Sequence, residues 1–220
     1  MRRPGAGQRV VSVGVLSLVV VGGCAGPEAE PAATLHDEVA WVDGNQPSGP
    51  DEDDPRVVAV RRYDILVKAS NNELNFTDPR LAQVATSEWI DVKAHRARRD
   101  IESGRFSLWE GPNDMTLVAI DHDGDEVIMC SRLPTRWTWD DDESAVAEKS
   151  RDSGEFEYDT YELVQQDGRW LVESFRADYG PGDGPCDPGP NVAFGAFTTQ
   201  PDLGVLGTLS PDDVVARSER

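Results

Sequence analysis

Tyr161-Glu162-Leu163-Val164-Gln165-Gln166-Asp167-Gly168-Arg169-Trp170-Leu171-Val172 decides the fold. Two β-rich runs flank Asp167-Gly168. An Asp-Gly between such runs is the strongest short hairpin signal, because both residues accept the positive φ of a tight turn. The spacing predicts strands over 158–166 and 169–176. Tyr161 and Leu163 alternate with Thr160 and Glu162, and Trp170 and Val172 with Leu171 and Glu173, so one face is expected to pack and the other to be wetter. Working toward the N-terminus, residues 115–121 and 126–133 flank the turn His122-Asp123-Gly124-Asp125 and form a second hairpin. Residues 106–110 read as a short strand, and Arg136-Trp137-Thr138-Trp139 alternates in a strand-like way. Residues 139–154 are acidic and hydrophilic and are expected to be an exposed insertion.

Upstream of residue 104 the period changes from two to 3.6. Asp54-Pro55 supplies a capping carboxylate and a proline suited to the first helical position. Val60, Tyr63, Val67, Ser70 and Leu74 then share one face, with Arg61, Arg62, Lys68 and Glu73 opposite. Asp78-Pro79 repeats the start signal, and Leu81, Ala85, Trp89 and Val92 give a second stripe. The basic stretch from His95 to Arg99 falls near the end of that helix, where cations suit the helix dipole. It reads either as an anion or partner contact or as a solvated helix end. Gly104 is the expected stop. The fold class is α+β.

Helices followed by an antiparallel meander of this kind resemble the NTF2-like superfamily, with its ketosteroid-isomerase-like members. The residues that carry the resemblance are Asp78-Pro79-Arg80-Leu81-Ala82, the strand from Thr116 to Asp121 leading into Gly124-Asp125, Cys130, and the hairpin from Tyr161 to Val172. The resemblance covers about residues 55–178. It implies a cone, in which N-terminal helices pack on a curved antiparallel sheet. In that superfamily the cone catalyses, binds ligands, or leaves its outer sheet face to pair into dimers, and the fold does not choose among these.

The first residues are similar to the leader of a bacterial lipoprotein. Arg2, Arg3 and Arg9 bracket a basic start, residues 10–21 are apolar, and Val21-Gly22-Gly23-Cys24 follows the lipobox pattern of an aliphatic residue and small residues before cysteine. The apolar run is about half the ~20 residues a membrane-spanning helix needs. The resemblance implies a signal peptide over 1–23 and a lipid on Cys24, placing the protein on the extracytoplasmic face of the cell membrane. Two acyl chains anchor stably where one does not. Arg2-Arg3 lacks the surrounding twin-arginine motif, so general secretion is expected. Residues 24–54 carry little to bury and are expected to be a flexible tether, with a short packed helix near residues 35–42 as the alternative.

The chain carries a net charge of −20, which becomes −23 once Arg2, Arg3 and Arg9 are removed with no acid. Such a surface repels nucleic acid, so no nucleic-acid partner is expected. Basic residues are nearly all arginine, which with abundant Gly, Ala, Val and Asp resembles the usage of a GC-rich, actinobacterial-type genome. Once Cys24 is lipidated, Cys130 and Cys186 remain. Outside the cytoplasm an even pair is most simply a disulfide; two free thiols or half of a metal site are the alternatives. Residues 179–220 are rich in Gly and Pro and are expected to be irregular and partly disordered.

Candidate chemistry is sparse. Tyr63, Asp64, Asp159 and Tyr161 have the residue types of an isomerase or dehydratase acting in a cone, but no spacing ties them together, so no catalytic residue is assigned. Asp121-His122-Asp123-Gly124-Asp125 begins like a calcium loop. It has glycine at the fourth position instead of the sixth, and Arg132 where a bidentate glutamate belongs, so a hairpin turn is expected. Asp140-Asp141-Asp142-Glu143 reads as a solvated run, and Asn75-Phe76-Thr77 as a chance sequon. No metal or cofactor site is assigned. Among six tryptophans, Trp137 and Trp139 form either a stacking platform or a core pair. The expected role is non-catalytic binding of a small apolar ligand or an envelope partner. An enzyme acting in the cone is the alternative, and a structural accessory that pairs through its sheet is a third.

Overall fold

The computed structural model describes residues 39–44, 46–121, 125–140, 144–177, 186–189 and 192–216. The expected leader over 1–23, Cys24 and the tether up to residue 38 lie outside the described residues. So do His122, Asp123 and Gly124 of the first hairpin and residues 141–143 of the acidic run.

Helix α1 (Pro55–Asn72) starts as its sequence dictates. Asp54 Oδ1 accepts from the Arg56 backbone N–H at 2.8 Å, and proline fills the first turn. The predicted face is buried at Val60, Tyr63 and Ser70, but burial does not stop there. Arg61 and Lys68, expected on the wet side, are each only 8% exposed. Arg61 is held by Glu52, at 2.7 and 2.5 Å, and by the Met115 carbonyl, and Lys68 by Asp64. A helix buried on nearly all sides needs such pairing for every charge it carries inward.

Helix α2 (Ser87–Glu102) begins later than the sequence predicts. Asp78-Pro79 opens only a 3-10 turn over Leu81–Gln83. The chain then leaves the turn at Val84 and pairs at Ala85, because Val84 and Thr86 bond the backbone of Val172 at 2.8 and 3.0 Å as a short parallel partner. Thr86 caps α2 by accepting from Trp89 N–H. The buried stripe is Ile90, Ala94 and Ala97, whereas Val92 is exposed. The helix stops as expected at Gly104, whose φ is +66°. Gly104 N–H bonds the Ile101 carbonyl and Arg105 N–H bonds that of Asp100, a Schellman closure.

The described residues hold nine strands: β1 (Val39–Trp41), β2 (Ser107–Trp109), β3 (Asp114–Asp121), β4 (Glu126–Arg132), β5 (Arg136–Asp140), β6 (Ala145–Lys149), β7 (Glu157–Gln166), β8 (Arg169–Ala177) and β9 (Gly195–Phe197). They pair antiparallel as a four-stranded sheet β3-β4-β7-β8, a three-stranded sheet β2-β5-β6 and a two-stranded ribbon β1-β9. The Asp167-Gly168 turn has φ values of +51° and +76°, with Gln166 opposite Arg169. Register shifts in β3 between Leu117 and Ala119, and in β7 between Glu162 and Leu163, mark bulges, and bulges bend strands. Helix α1 packs on β8, β4 and β2, and α2 on β8. The two helices and the larger sheets enclose a main core that includes Val57, Phe76, Leu81, Leu108, Val127 and Val172, and the β1-β9 ribbon packs on α1 through a smaller cluster of Val39, Ile65 and Phe197. The architecture is α+β. No helix among the described residues is long and apolar enough to cross a membrane.

Three segments depart from expectation. The predicted insertion contains β6, five exposed residues paired to β5. The predicted tether is structured from Val39, since β1 pairs β9. Residues 192–216 are built into the domain. Leu206, in a 3-10 segment over Leu203–Thr208, and Val214 are buried in the core, and Val215 bonds the backbone on either side of Asn75. None of these elements is long enough to be stable alone, so their order comes from packing, which local sequence does not display. Cys130 and Cys186 lie in disulfide geometry, with an S–S distance of 2.07 Å and Cα atoms 5.9 Å apart. The bond joins β4 to the segment 186–189.

Candidate functional site

A cleft of about 890 Å³ opens between the two helices and the inner face of the four-stranded sheet. Helix α1 contributes Tyr63, Asp64 and Lys68, α2 contributes Lys93, Arg96 and Arg99, and β4, β7 and β8 contribute Ser131, Asp159, Tyr161 and Phe175. The four residues singled out by type in the sequence, Tyr63, Asp64, Asp159 and Tyr161, therefore line one cleft, two from α1 and two from β7. All four are at most 5% exposed.

They are not equivalent. Asp64 is fully engaged. Its Oδ1 lies 2.5 Å from Lys68 Nζ, one turn along α1, and its Oδ2 accepts from the Asn113 backbone N–H at 2.6 Å. Each of its oxygens already accepts one hydrogen bond, so it ties α1 to the backbone of Asn113. Asp159 accepts from the Ser131 hydroxyl through Oδ2. Burial pushes its carboxyl up to about 7, with Asp64 and Glu157 adding to the rise and Ser131 and Lys68 opposing it. Tyr63 accepts from the Trp89 indole N–H at 2.8 Å, and burial raises its hydroxyl far above the ordinary range. Tyr161 packs edge-on to Tyr63, with centroids 6.3 Å apart, and against Phe175 at 5.1 Å. Its hydroxyl, also raised by burial, makes no hydrogen bond among the described residues.

The sign of the lining is opposite to that of the protein. Eight basic side chains line the cleft, Lys68, Lys93, Lys149, Arg96, Arg99, Arg105, Arg132 and Arg136, against five acidic ones, in a chain whose net charge is −20. All three lysines of the sequence are among them. The basic stretch on α2 divides: Arg96 and Arg99 line the cleft, Arg98 donates to the Val214 carbonyl at 3.2 Å, and His95 Nδ1 lies 2.8 Å from the Asp91 carbonyl. Low-dielectric walls focus such a field on whatever enters.

Trp137 and Trp139 are not part of this cleft. Both are half-buried and pack against the core. The Trp137 indole donates to Glu148 at 3.1 Å, and the Trp139 ring fits so closely over Gly207 that a side chain there would lie 2.9 Å from it. Trp139 seats the C-terminal segment, and Trp137 ties β5 to β6. Among the described residues no group of three His, Cys, Asp or Glu is placed to hold a metal. A second cavity, about 240 Å³ and lined by Trp41, Arg61 and Met115, shares Asp64 and Asn113 with the cleft. Asn113 Oδ1, in that shared wall, is buried without a partner.

Sequence reasoning missed Lys93 and Ser131. Rarity was the available signal for Lys93, since an arginine-dominated chain that keeps three lysines places all of them at one cavity. Nothing local marks Ser131. Compared with known protein families and with curated proteins, the chain gives no match.

Proposed function

We propose that this chain is a lipid-anchored extracytoplasmic protein whose domain, an NTF2-like cone, captures a small anionic ligand without transforming it. The observation that carries the reading is the local reversal of charge, eight basic side chains against five acidic ones around one open cleft of a strongly acidic protein. The volume suits a small molecule. The rings of Phe175 and Trp109 offer the ligand's apolar body a wall, while Arg96, Arg99 and Arg105 offer its carboxylate or phosphate a partner. Support for the cone comes from two helices preceding an antiparallel sheet that is bent at two bulges and packed by α1. Support for the address comes from Val21-Gly22-Gly23-Cys24 and the basic and apolar residues before it.

The test is native mass spectrometry of the protein from its own host, paired with calorimetric titration of phenyl phosphate and of benzylamine. Retention of an acidic molecule, and binding of the anion alone, is the expected outcome. Replacing Arg96 and Arg99 together by Glu is expected to weaken the anion at least tenfold. Equal binding of the amine, or no effect of the charge reversal, overturns the reading.

The buried, half-protonated Asp159 beside the unpaired hydroxyl of Tyr161 favours a second reading, an isomerase-type enzyme moving a proton next to a carbonyl. Enzyme-dependent exchange of deuterium from D2O into a bound ketone, lost in Asp159→Asn, would support it.

A further inference from the structure

The three lysines of the cleft are in different states. Lys68 is ion-paired with Asp64, and Lys149 is exposed at the end of β6. Lys93 is partly buried, and its amino group makes no hydrogen bond or ion pair among the described residues. Two aromatic rings lie close to it. Nζ lies 4.5 Å from the centre of Trp89, one turn back on α2, and 5.3 Å from that of Phe175 on β8. The charged and titratable groups facing it are Arg96 from its own helix, Lys68 and Asp64 from α1, and Asp159 from β7, with the hydroxyls of Tyr63 and Tyr161 in the same cleft. Two of these groups are cations, and Asp64 already serves Lys68.

An amine walled by aromatic rings, without an acceptor and beside other cations, is the arrangement that makes a lysine nucleophilic. We propose that Lys93 forms a reversible imine with the carbonyl of a small anionic aldehyde or ketone held in the cleft. The inference rests on the anion-capture reading and names the ligand's second functional group. The free-base nitrogen attacks the carbonyl carbon, a C–N bond forms, and the carbonyl π pair moves to oxygen. One amine hydrogen transfers to that oxygen and gives a carbinolamine. The nitrogen lone pair then expels the hydroxyl, which leaves as water with the second amine hydrogen. Amine and carbonyl become imine and water, with nothing oxidised or reduced.

Protonation supports this chemistry. Burial, then Arg96 and Lys68, hold the Lys93 amine down to about 7. A large fraction is therefore free base near neutrality, against roughly one part in a thousand for an ordinary lysine. The rings of Trp89 and Phe175 favour the ammonium, but they offer it no oxygen acceptor to replace the water it gives up. The anionic group of the ligand is expected to lie toward Arg96 and Arg99, leaving its carbonyl for Lys93.

The test uses the full chain and pyridoxal 5′-phosphate, an anionic aldehyde, with borohydride reduction and peptide mapping of all three lysines. The expected result is a reduced adduct at Lys93, at least tenfold above Lys149, half-developed near pH 7 and absent in Lys93→Arg. Labelling of Lys149 equal to that of Lys93 in the unmutated protein overturns the proposal, whatever the variant does. Pyridoxine 5′-phosphate, which lacks the carbonyl, separates the two readings. If it binds while Lys93 stays unmodified, the imine is refuted and anion capture stands. If it does not bind and no adduct forms, both fall.

Discussion

Lys68 and Asp64 form an ion pair 2.5 Å long, one turn apart on α1, with the side chains 10% and 5% exposed. The pair lies where the helix faces the cleft, and the second oxygen of Asp64 ties the helix to the backbone of Asn113. Removing one partner leaves the other charged and out of water. Asp64→Asn is expected to cost about 3–5 kcal/mol, and Asp64→Asn with Lys68→Met distinctly less than the sum of the single changes. Urea denaturation of the three variants checks this, and strict additivity would show that the two groups do not act as a pair.

Between pH 4 and 7 the buried carboxyls are expected to lower stability as the pH rises. Asp159 titrates at about 7 in the folded protein, and Asp114, raised by burial against the pull of Arg151 and Arg132, at about 6. Both lie above the unfolded value of roughly 3.9. The folded state therefore holds these protons more tightly, and ionisation between pH 4 and 7 works against folding, by up to ~1.4 kcal/mol per pH unit for each proton. Asp159→Asn, which keeps an acceptor for Ser131, is expected to flatten this slope. Urea midpoints at pH 5 and pH 8, for both proteins, give the comparison, and parallel curves would exclude Asp159 as a source.

The Cys130–Cys186 bond closes a loop with a sequence separation of 56. In the chain-entropy treatment its loss costs about 4 kcal/mol, through a freer unfolded chain. The double serine variant is expected to melt well below the oxidised protein and to be indifferent to reductant. A melting temperature unchanged by reduction of the native bond would contradict this.

Gly111 sits against β9 so closely that a Cβ would lie 2.4 Å from the Gly195 carbonyl oxygen. That obstacle is backbone and cannot swing aside. Gly111→Ala is expected to lift β9 from its place and expose residues 192–197 to limited proteolysis, while leaving the four-stranded sheet protected from hydrogen exchange. Unaltered cleavage would mean that the strand relaxes around the methyl group.

The lipid anchor has its own test. Cys24→Ala is expected to release the protein from the membrane fraction or leave it unprocessed. Normal processing with unchanged membrane retention would refute the anchor.

Legibility in the sequence followed the range of the interaction. The Asp167-Gly168 hairpin, the Asp54 cap and the Gly104 stop are decided within five residues, and each stands where the pattern places it. The start of α2 is decided by Val172, far along the chain, whose backbone draws residues 84–86 into pairing; a start signal at Asp78-Pro79 could not anticipate that competitor. The order of residues 192–216 likewise depends on Trp139, Asn75 and β1. In the cleft, residue type was enough to name Tyr63, Asp64, Asp159 and Tyr161. Only coordinates separate Asp64, already bonded, from Asp159, which has a single partner. Lys93 gains its character from Trp89 and Phe175 together, and only the first of these is near it in sequence.

The ribbon of β1 and β9 also fixes how the domain takes load. Tension applied upstream of Val39 enters through a three-rung ladder, Val39 to Phe197, Ala40 to Ala196 and Trp41 to Gly195, before it reaches α1 or the main sheet. That ladder is the shortest sheet among the described residues, so it acts as the mechanical fuse. A pull on the N-terminal end is expected to unzip it first, while the four-stranded sheet that lines the cleft stays paired.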